Sequence, residues 1–153
     1  FFGIIMTESI WYDEDSIKLE DLNALHKDTV CELLGIEITE VGSNFIRGTM
    51  PADKRTYQPM GLVHGGANVV LAETLGSIAA NLVVDTSKYY CVGQEVNANH
   101  VRGVRKGLLL GTAFLVYKGR TSQVWDIRLE DERGKLSCIS RLTMAVVKHS
   151  KPS

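Results

Sequence analysis

The spacing of apolar residues near the start of the chain predicts two helical stretches. From Ser16 the sequence SIKLEDLNALHKDTVCELLG carries apolar residues at helical intervals. Ser16 can cap the first turn, and Gly35 is a typical helix stop. We therefore predict a helix over residues 18–28, followed by a further turn of helix that ends at Leu34.

The next stretch has the pattern of a β-hairpin and a loop. Residues 36–41 and 45–50 are two β-rich runs that flank the turn residues Gly-Ser-Asn. The polar sequence ADKRTYQPMG that follows contains a proline near its end and predicts a loop.

A long apolar segment, residues 65–84, predicts a buried helix. It is rich in alanine and leucine and lacks proline, which favours helix over strand. Apolar residues cover most of its circumference, as in helices that are buried on nearly all sides. Glu73 is the single charged residue of this segment.

The remainder alternates between β-rich runs and turns. Four runs predict strands, at residues 89–102, 107–119, 122–131 and 136–147. A hairpin, one long helix and four successive strands indicate an α+β domain in which a curled antiparallel sheet wraps around the central helix. Such a sheet has open edges, and pairing with a second subunit is one way to cover them.

Length and composition narrow the possible functions. The 153 residues fit one domain, which we place at residues 16–148, with an N-terminal extension at 1–15 and a frayed tail at 149–153. Because Met6 can begin a reading frame, we interpret residues 1–5 as a cloning remnant or the product of an earlier start. The net charge is −1 and the cations are scattered, which argues against nucleic-acid and membrane-surface partners.

The cysteines indicate a reducing compartment. Cys31, Cys91 and Cys138 lie far apart without a CxxC pair, so we expect free thiols in a cytoplasmic protein. No cluster of Cys and His residues has the spacing of a zinc site, and we expect no metal or redox cofactor. Glu73, Ser77 and Asn81 interrupt the longest apolar run, which excludes a transmembrane helix there.

The start of the long helix has the elements of an acyl-transfer site. The N–H of Gly65 would have no partner within the helix and would lie at the positive end of its dipole, where a carbonyl oxygen can bind. Glu73 lies two helical turns further along, with Ser77 on the same face. Gln58 and His64 lie just upstream and could orient a substrate.

A structural interpretation explains the same residues. Glu73, Thr74, Ser77 and Asn81 fall within about a third of the helical wheel at 100° per residue, and could form a stripe facing solvent or an interface. The His-Gly-Gly sequence at 64–66 could be only a turn into the helix. From spacing alone, this is the simpler interpretation.

Three longer motifs favour the catalytic interpretation over the structural one. QPMGLVHGGANVVLAETLGSIAA, then VGQEVNANHVR and SQVWDIRLEDERGKLSCISRLTMAVV, resemble the hotdog-fold acyl-CoA thioesterases from about residue 17 to residue 147. Within that family the chain is similar to the 4-hydroxybenzoyl-CoA thioesterase type with a glutamate on the central helix. The thioesterases that act on 1,4-dihydroxy-2-naphthoyl-CoA in menaquinone synthesis, and those that proofread enterobactin synthesis, belong to this type.

The resemblance assigns roles to individual residues. Glu73 matches the catalytic carboxylate, as nucleophile or as general base on water, and Gly65 matches the oxyanion-hole N–H. Gln58 and His64 match side chains that position and polarise the thioester, and Ser77 matches a hydroxyl that assists Glu73 or orients water. His100 matches a substrate-binding position near the site.

The resemblance also implies an active site shared across a dimer, and a tetramer of two such dimers. The substrate would be an acyl-CoA or acyl-carrier-protein thioester, with the CoA phosphates bound at the surface. Candidate residues are Arg102 and the turn Gly119, Arg120, Thr121 and Ser122, because Arg and Lys are the usual phosphate partners. Solvated charges are the alternative for each.

The sequence thus predicts a thioesterase that hydrolyses an acyl-CoA, with an aryl group such as hydroxybenzoyl or 1,4-dihydroxy-2-naphthoyl favoured over a long aliphatic chain. The alternatives are a non-catalytic acyl-CoA-binding protein and a hotdog hydratase or dehydratase. We expect Trp125 and Phe114 to be core or sheet-face aromatics, and His26 and His149 to be surface residues. The cysteines have no partnering histidine motif and are not expected to be nucleophiles.

Overall fold

The computed structural model describes residues 8–150. A 3₁₀ turn at Glu14–Ser16 precedes the helices, which are α1 (Leu19–Ala24), α2 (Val30–Leu34) and α3 (Gly65–Leu82). The strands are β1 (Glu37–Val41), β2 (Phe45–Pro51), β3 (Tyr89–His100), β4 (Leu108–Lys118), β5 (Ser122–Asp131) and β6 (Leu136–Lys148). The six strands and the long helix all lie within about two residues of their predicted bounds, as period-2 and period-3.6 patterns allow.

The six strands form one antiparallel sheet in the order β1-β2-β4-β5-β6-β3. Strand β3 follows α3 in the chain and pairs with β6, so β1 and β3 are the two edges. Helix α3 packs against strands β2 to β6, which means that the sheet curves around the helix. The predicted α+β fold, a curled sheet around one central helix, is confirmed.

Small residues on the sheet let α3 lie close to it. The side chain of Leu75 is fully buried between the helix and the glycines of two neighbouring strands. A Cβ on Gly111 would come within 2.5 Å of Leu75 Cδ1, and one on Gly48 within 2.9 Å of Leu75 Cδ2. Glycine at both positions therefore sets the distance between helix and sheet.

Buried side-chain hydrogen bonds fix the end of α3. Gln123 on β5 is completely buried, and its amide donates to the Ala80 carbonyl at 3.2 Å. The indole N–H of Trp125 donates to Gln123 Oε1 at 2.9 Å, and the predicted core position of this tryptophan is confirmed. Asn81 accepts the Cys91 N–H and donates to the Cys91 carbonyl, so that it binds the backbone of edge strand β3 as a neighbouring strand would.

The first helix differs from the prediction. It begins after Lys18, which makes no side-chain cap, whereas the Ser16 hydroxyl donates to a carbonyl three residues before it. Residues 25–28 form turns, and Asp28, with a φ of 58°, leads the chain into α2. Thr29 caps α2, and Gly35 ends it with a φ of 68°, as predicted.

Part of the predicted N-terminal extension packs on the domain. Trp11 is buried and its indole donates to the Gly42 carbonyl at 2.6 Å, while the Tyr12 N–H donates to the carbonyl of Leu82 at 2.9 Å. Near the other end, the His149 N–H donates to the Lys88 carbonyl. Our interpretation of residues 1–5, and the last three residues of the predicted tail, fall outside the described residues. No helix within residues 8–150 is both long enough and apolar enough to cross a membrane.

Candidate active site

The start of α3 presents a free backbone donor. His64 is the N-cap residue, and its Nδ1 accepts the Gly66 N–H at 2.8 Å while its carbonyl accepts the Asn68 N–H at 3.2 Å. The Gly65 N–H, at the first helical position, has no hydrogen-bond partner among residues 8–150. It points out of the positive end of the helix dipole, so negative charge that develops on a carbonyl oxygen would be stabilised there.

The same cap fixes the chemistry of His64. Because Nδ1 accepts a hydrogen bond from Gly66, the neutral imidazole carries its proton on Nε2. The ring is exposed, which leaves its Nε2–H available to a ligand. His64 thus accepts the Gly66 N–H through Nδ1 and offers its Nε2–H as a second donor close to the free Gly65 N–H.

A tight loop holds Gln58 beside the helix start. The Gln58 N–H donates to the Leu62 carbonyl at 2.8 Å, and its side-chain Oε1 accepts the Met60 N–H. With the oxygen occupied, the amide NH₂ is the part of the side chain left for a substrate. Gln58 and Gly65 line one pocket of about 320 Å³.

His100, at the end of β3, closes this pocket next to Gly65. Its Nε2 lies 2.8 Å from the place that a Cβ on residue 65 would take, so any side chain at Gly65 would press on the ring. Its Nδ1 lies 3.2 Å from the side-chain nitrogen of Asn68. Asn68 is buried, and its Oδ1 has no partner in the described part of the chain. The sequence analysis missed Asn68, although a polar residue three positions after Gly65 on a buried helix was a usable signal.

Glu73 lies apart from that pocket. It is eight residues after Gly65, about 12 Å along the helix at 1.5 Å per residue. Its side chain is partly buried and makes no hydrogen bond or ion pair within residues 8–150. One carboxylate oxygen lies directly over Gly93 on β3, in the space that a Cβ there would need.

The carboxylate borders a second cavity, of about 420 Å³, between α3 and the α1–α2 segment. Its apolar wall consists of Leu25, Val30, Val70 and Ile78. Ser77 lies in the same cavity one turn after Glu73, as the sequence predicted from their spacing.

His26 also lines this cavity, and its predicted surface position is wrong. The residue is buried, and its Nδ1 lies 2.9 Å from the Ile36 carbonyl, so this nitrogen carries the proton and donates. Its Nε2 is buried and has no hydrogen-bond partner in the described chain. The missed signal is the four-residue spacing from the buried Leu22, which places both residues on one side of a helical turn.

Arg102 is held by the turn between β5 and β6. Its guanidinium donates to the carbonyls of Lys135 at 2.7 Å and Leu136 at 3.2 Å, and lies 2.9 Å from the Asp131 carboxylate. Asp131 also accepts hydrogen bonds from the Lys135 N–H and from Arg133. These donors hold the pKa of the Asp131 carboxyl well below its usual range, with the Lys135 N–H as the largest cause.

Replacing Asp131 with asparagine should lower stability in a pH-dependent way. A carboxyl whose pKa is depressed by folding stabilises the protein above its unfolded pKa of about 4, and this contribution is lost as pH falls through the folded pKa. We expect a lower urea midpoint for Asp131→Asn than for the wild type at pH 7 and a smaller gap at pH 3. Glu132→Gln, its exposed neighbour, serves as the control. A gap that is equal at both pH values would contradict this role.

The other predicted substrate-binding residues lie elsewhere. Gly119, Arg120, Thr121 and Ser122 form the β4–β5 turn, where the Gly119 N–H donates to the Ser122 carbonyl at 2.8 Å. This turn and Asp131 are at opposite ends of β5, roughly 30 Å apart at the rise of a strand. One chain therefore does not bring residues 119–122 together with Arg102 or His100.

The remaining groups with chemical potential are the side chains that can bind metals and the thiols. Within residues 8–150, no group of three or more His, Cys, Asp or Glu side chains is placed to hold a metal ion. All three cysteines are free, and burial raises the pKa of the Cys91 and Cys138 thiols, which keeps them protonated. Phe114 lies on the outer face of the sheet, 6.2 Å from the ring of Phe45, and is a sheet-face aromatic as predicted.

Comparison with known proteins gives the family. The sequence profile of the Thioesterase superfamily matches residues 60–138. The 1,4-dihydroxy-2-naphthoyl-CoA hydrolase of Escherichia coli is 44% identical over 90% of this chain and 99% of its own. The proofreading thioesterase EntH of Cronobacter turicensis is 48% identical over 84% of this chain and 93% of its own.

Solved structures agree. A thioesterase of Pseudomonas aeruginosa, crystallised as a glutamine-to-alanine variant, superposes with a TM-score of 0.89 at 53% identity, over 92% of this chain and 100% of the other. The profile covers more than half of the chain, and the relatives align along nearly their whole length. The chain belongs to the thioesterase superfamily and is a hydrolase.

Proposed function

We propose that the protein hydrolyses an acyl-CoA thioester to the free acid and CoA. The observation that carries this proposal is the Glu73 carboxylate, which borders an apolar cavity and has no partner within the described chain. A carboxylate that is withdrawn from solvent in part, without a pairing partner and beside a cavity, is a candidate functional group. A carboxylate in this position is free to act on a bound acyl group.

The cavity beside Glu73 supports an aryl substrate. Its wall is largely apolar, and a volume of about 420 Å³ is ample for one or two fused aromatic rings. The polar groups are at its edge, where His26, Thr74 and Ser77 could contact substituents on a ring. A relative at 44% identity is named for a naphthoyl-CoA substrate, which fits a cavity of this kind.

The chemistry follows from the start and the middle of α3. The thioester oxygen binds the Gly65 N–H, which polarises the carbonyl and stabilises the negative charge of the tetrahedral intermediate. Glu73 then either attacks the carbonyl carbon or removes a proton from a water that attacks it. The carbon–sulfur bond breaks and the CoA thiol leaves. In the first route, water hydrolyses the acyl-glutamate anhydride and restores Glu73.

Three side chains support that step. The free amide NH₂ of Gln58 and the Nε2–H of His64 are donors near Gly65, where they would orient the thioester. Ser77 shares the Glu73 cavity and would orient a water or the carboxylate. Each would be a positioning group for a reaction carried out by Glu73 and Gly65.

We propose that each active site is shared between two subunits. One chain separates Gly65 from Glu73 by about 12 Å, and the two residues line different cavities. A carboxylate that attacks a carbonyl must come within about 3–3.5 Å of its carbon, so one chain does not place both groups on one thioester. A second copy would supply the missing group.

The open edge of the sheet provides the geometry. Gly93, under Glu73, and His100, beside Gly65, both lie on edge strand β3. If two β3 strands pair antiparallel with Gly93 opposite His100 of the partner subunit, Glu73 lies next to the helix start of the second copy. Neighbouring strands are about 4.8 Å apart, a separation that side chains span easily. The resemblance to the family also implies a tetramer of two such dimers.

A cationic cavity adjoins the Gly65 pocket. The two cavities share Arg102, Gly103 and Val104. The outer one is also lined by three cations and two carboxylates, which are Arg105, Lys106, Arg133, Asp131 and Glu132. Arginine and lysine are the usual partners of phosphate. We propose that the nucleotide end of CoA lies here, with Arg102 shaping the wall through its contacts to the β5–β6 turn.

The test is thiol release from a panel of naphthoyl-, benzoyl-, phenylacetyl- and fatty-acyl-CoA thioesters. We expect turnover, with kcat/KM highest for an aryl substrate. Binding without thiol release would indicate an acyl-CoA-binding protein instead. Loss of enoyl absorbance without thiol release would indicate a hydratase.

A further inference from the structure

We propose that Gly93, at an irregularity in edge strand β3, is a positioning residue for the Glu73 carboxylate. The proposal rests on the proposed function, in which Glu73 carries out the reaction. Gly93 itself has no side chain and touches no substrate. Its role is to leave the space that the carboxylate occupies.

The contacts at this position are specific. A Cβ on residue 93 would collide with Glu73 Oε1 and lie 3.5 Å from Glu73 Cδ. Apart from its chain neighbours, no other heavy atom of residues 8–150 lies within 4 Å of that point. The Glu73 carboxylate is therefore the group that fills the space above Gly93, and a side chain at position 93 would collide with it first.

A β-bulge accounts for the position of Gly93 in the strand. Gly93 pairs with Met144 and Glu95 pairs with Thr143, so Gln94 is an extra residue relative to β6. In a regular strand, residues seven apart point to opposite faces of the sheet. The extra residue shifts this alternation, and Gly93 and His100 both face α3. Bulges often lie next to active sites because they re-aim side chains in this way.

A methyl group at position 93 should displace the carboxylate with little effect on the fold. The collision is with the end of a flexible side chain, and Gly93 is not among the residues with a positive φ. The Glu73 side chain can rotate away, whereas the backbone of β3 can stay in place. A displacement of about 1 Å in a reacting group can lower a rate by about 100-fold.

The experiment is a double-mutant cycle between Gly93→Ala and Glu73→Gln, measured as thiol release from benzoyl-CoA. We expect Gly93→Ala alone to lower kcat by about 100-fold with KM changed less than about 3-fold. In the Glu73→Gln background, the same alanine should lower the residual rate less than about 3-fold, because its effect passes through the carboxylate. Val92→Ala, on the same strand, is the matched control and should keep wild-type kcat.

Melting temperature and light scattering of each variant separate positioning from folding or assembly. The proposal is overturned if Gly93→Ala retains wild-type kcat, or if it lowers the rate of Glu73→Gln as strongly as that of the wild type. It is also overturned if the loss of activity follows a loss of the oligomer or a lower melting temperature. Wild-type protein without thiol release, or Glu73→Gln with full activity, would instead contradict the proposed function.

Discussion

Replacing Glu73 with glutamine is expected to lower kcat for thiol release by about 10³- to 10⁴-fold. This loss is the upper part of the range for a lost general base, and it would be larger if the carboxylate is the nucleophile. Glutamine has nearly the same shape, but it cannot accept a proton from water or form an acyl intermediate. Because Glu73 makes no hydrogen bond or ion pair within the described residues, the exchange removes no internal polar interaction. Stability should therefore remain close to that of the wild type.

The measurement is kcat and KM for the best substrate of the thioester panel, together with the melting temperature. Glu130→Gln, a change of the same kind on β5, controls for the loss of one negative charge. A Glu73→Gln variant with more than about a tenth of wild-type kcat would contradict a role in the reaction, since general-base catalysis contributes at least about 100-fold.

The second large effect is expected at Gly65, where two substitutions separate the backbone donor from the space around it. Gly65→Ala keeps the N–H and adds a Cβ that presses on His100. Gly65→Pro adds a Cβ at the same place, together with the Cγ and Cδ of its ring, and removes the N–H. Proline is well tolerated at the first position of a helix, and the preceding His64, with φ −64° and ψ 136°, already has the extended backbone that proline requires.

Both variants should lose activity through the contact with His100, and proline should lose about 10²- to 10³-fold more in kcat than alanine, the usual effect of removing one oxyanion donor. The ratio of the two kcat values is the quantity to measure, because it cancels the contact of the Cβ with His100 that both variants share. Equal values for alanine and proline would show that the Gly65 N–H does not bind the thioester oxygen.

The fold could be predicted from the sequence because its signals are local. Residues 65–84 are apolar on almost all sides, and the four C-terminal runs have the β-rich composition and turn residues of antiparallel strands. The helix preceding α2 was predicted too long because its last residues form turns, which apolar spacing does not distinguish from helix. Glu73 and Gly65 could be predicted as site residues because a helix start binds negative charge and because the surrounding motifs resemble a known family.

Other features depend on contacts between distant segments. His26 became a cavity residue because the turns after α1 fold against α3, and Arg102 is held by carbonyls more than thirty residues away. The bulge at Gln94 depends on the register with β6, which a single strand does not reveal. The distance between Gly65 and Glu73 could be predicted from the helical rise. That the two residues line different cavities could be seen only in the complete structure.

The most direct test of an active site shared between Glu73 of one subunit and Gly65 of the other is to mix two inactive variants. Glu73→Gln and Gly65→Pro proteins are unfolded together, refolded at equal concentration, and assayed for thiol release. Random pairing in a two-fold dimer gives half mixed dimers, each with one intact site, so activity should return to about a quarter of the wild type. Activity that stays at the level of the separate variants, although mass spectrometry shows mixed dimers, would contradict the shared site.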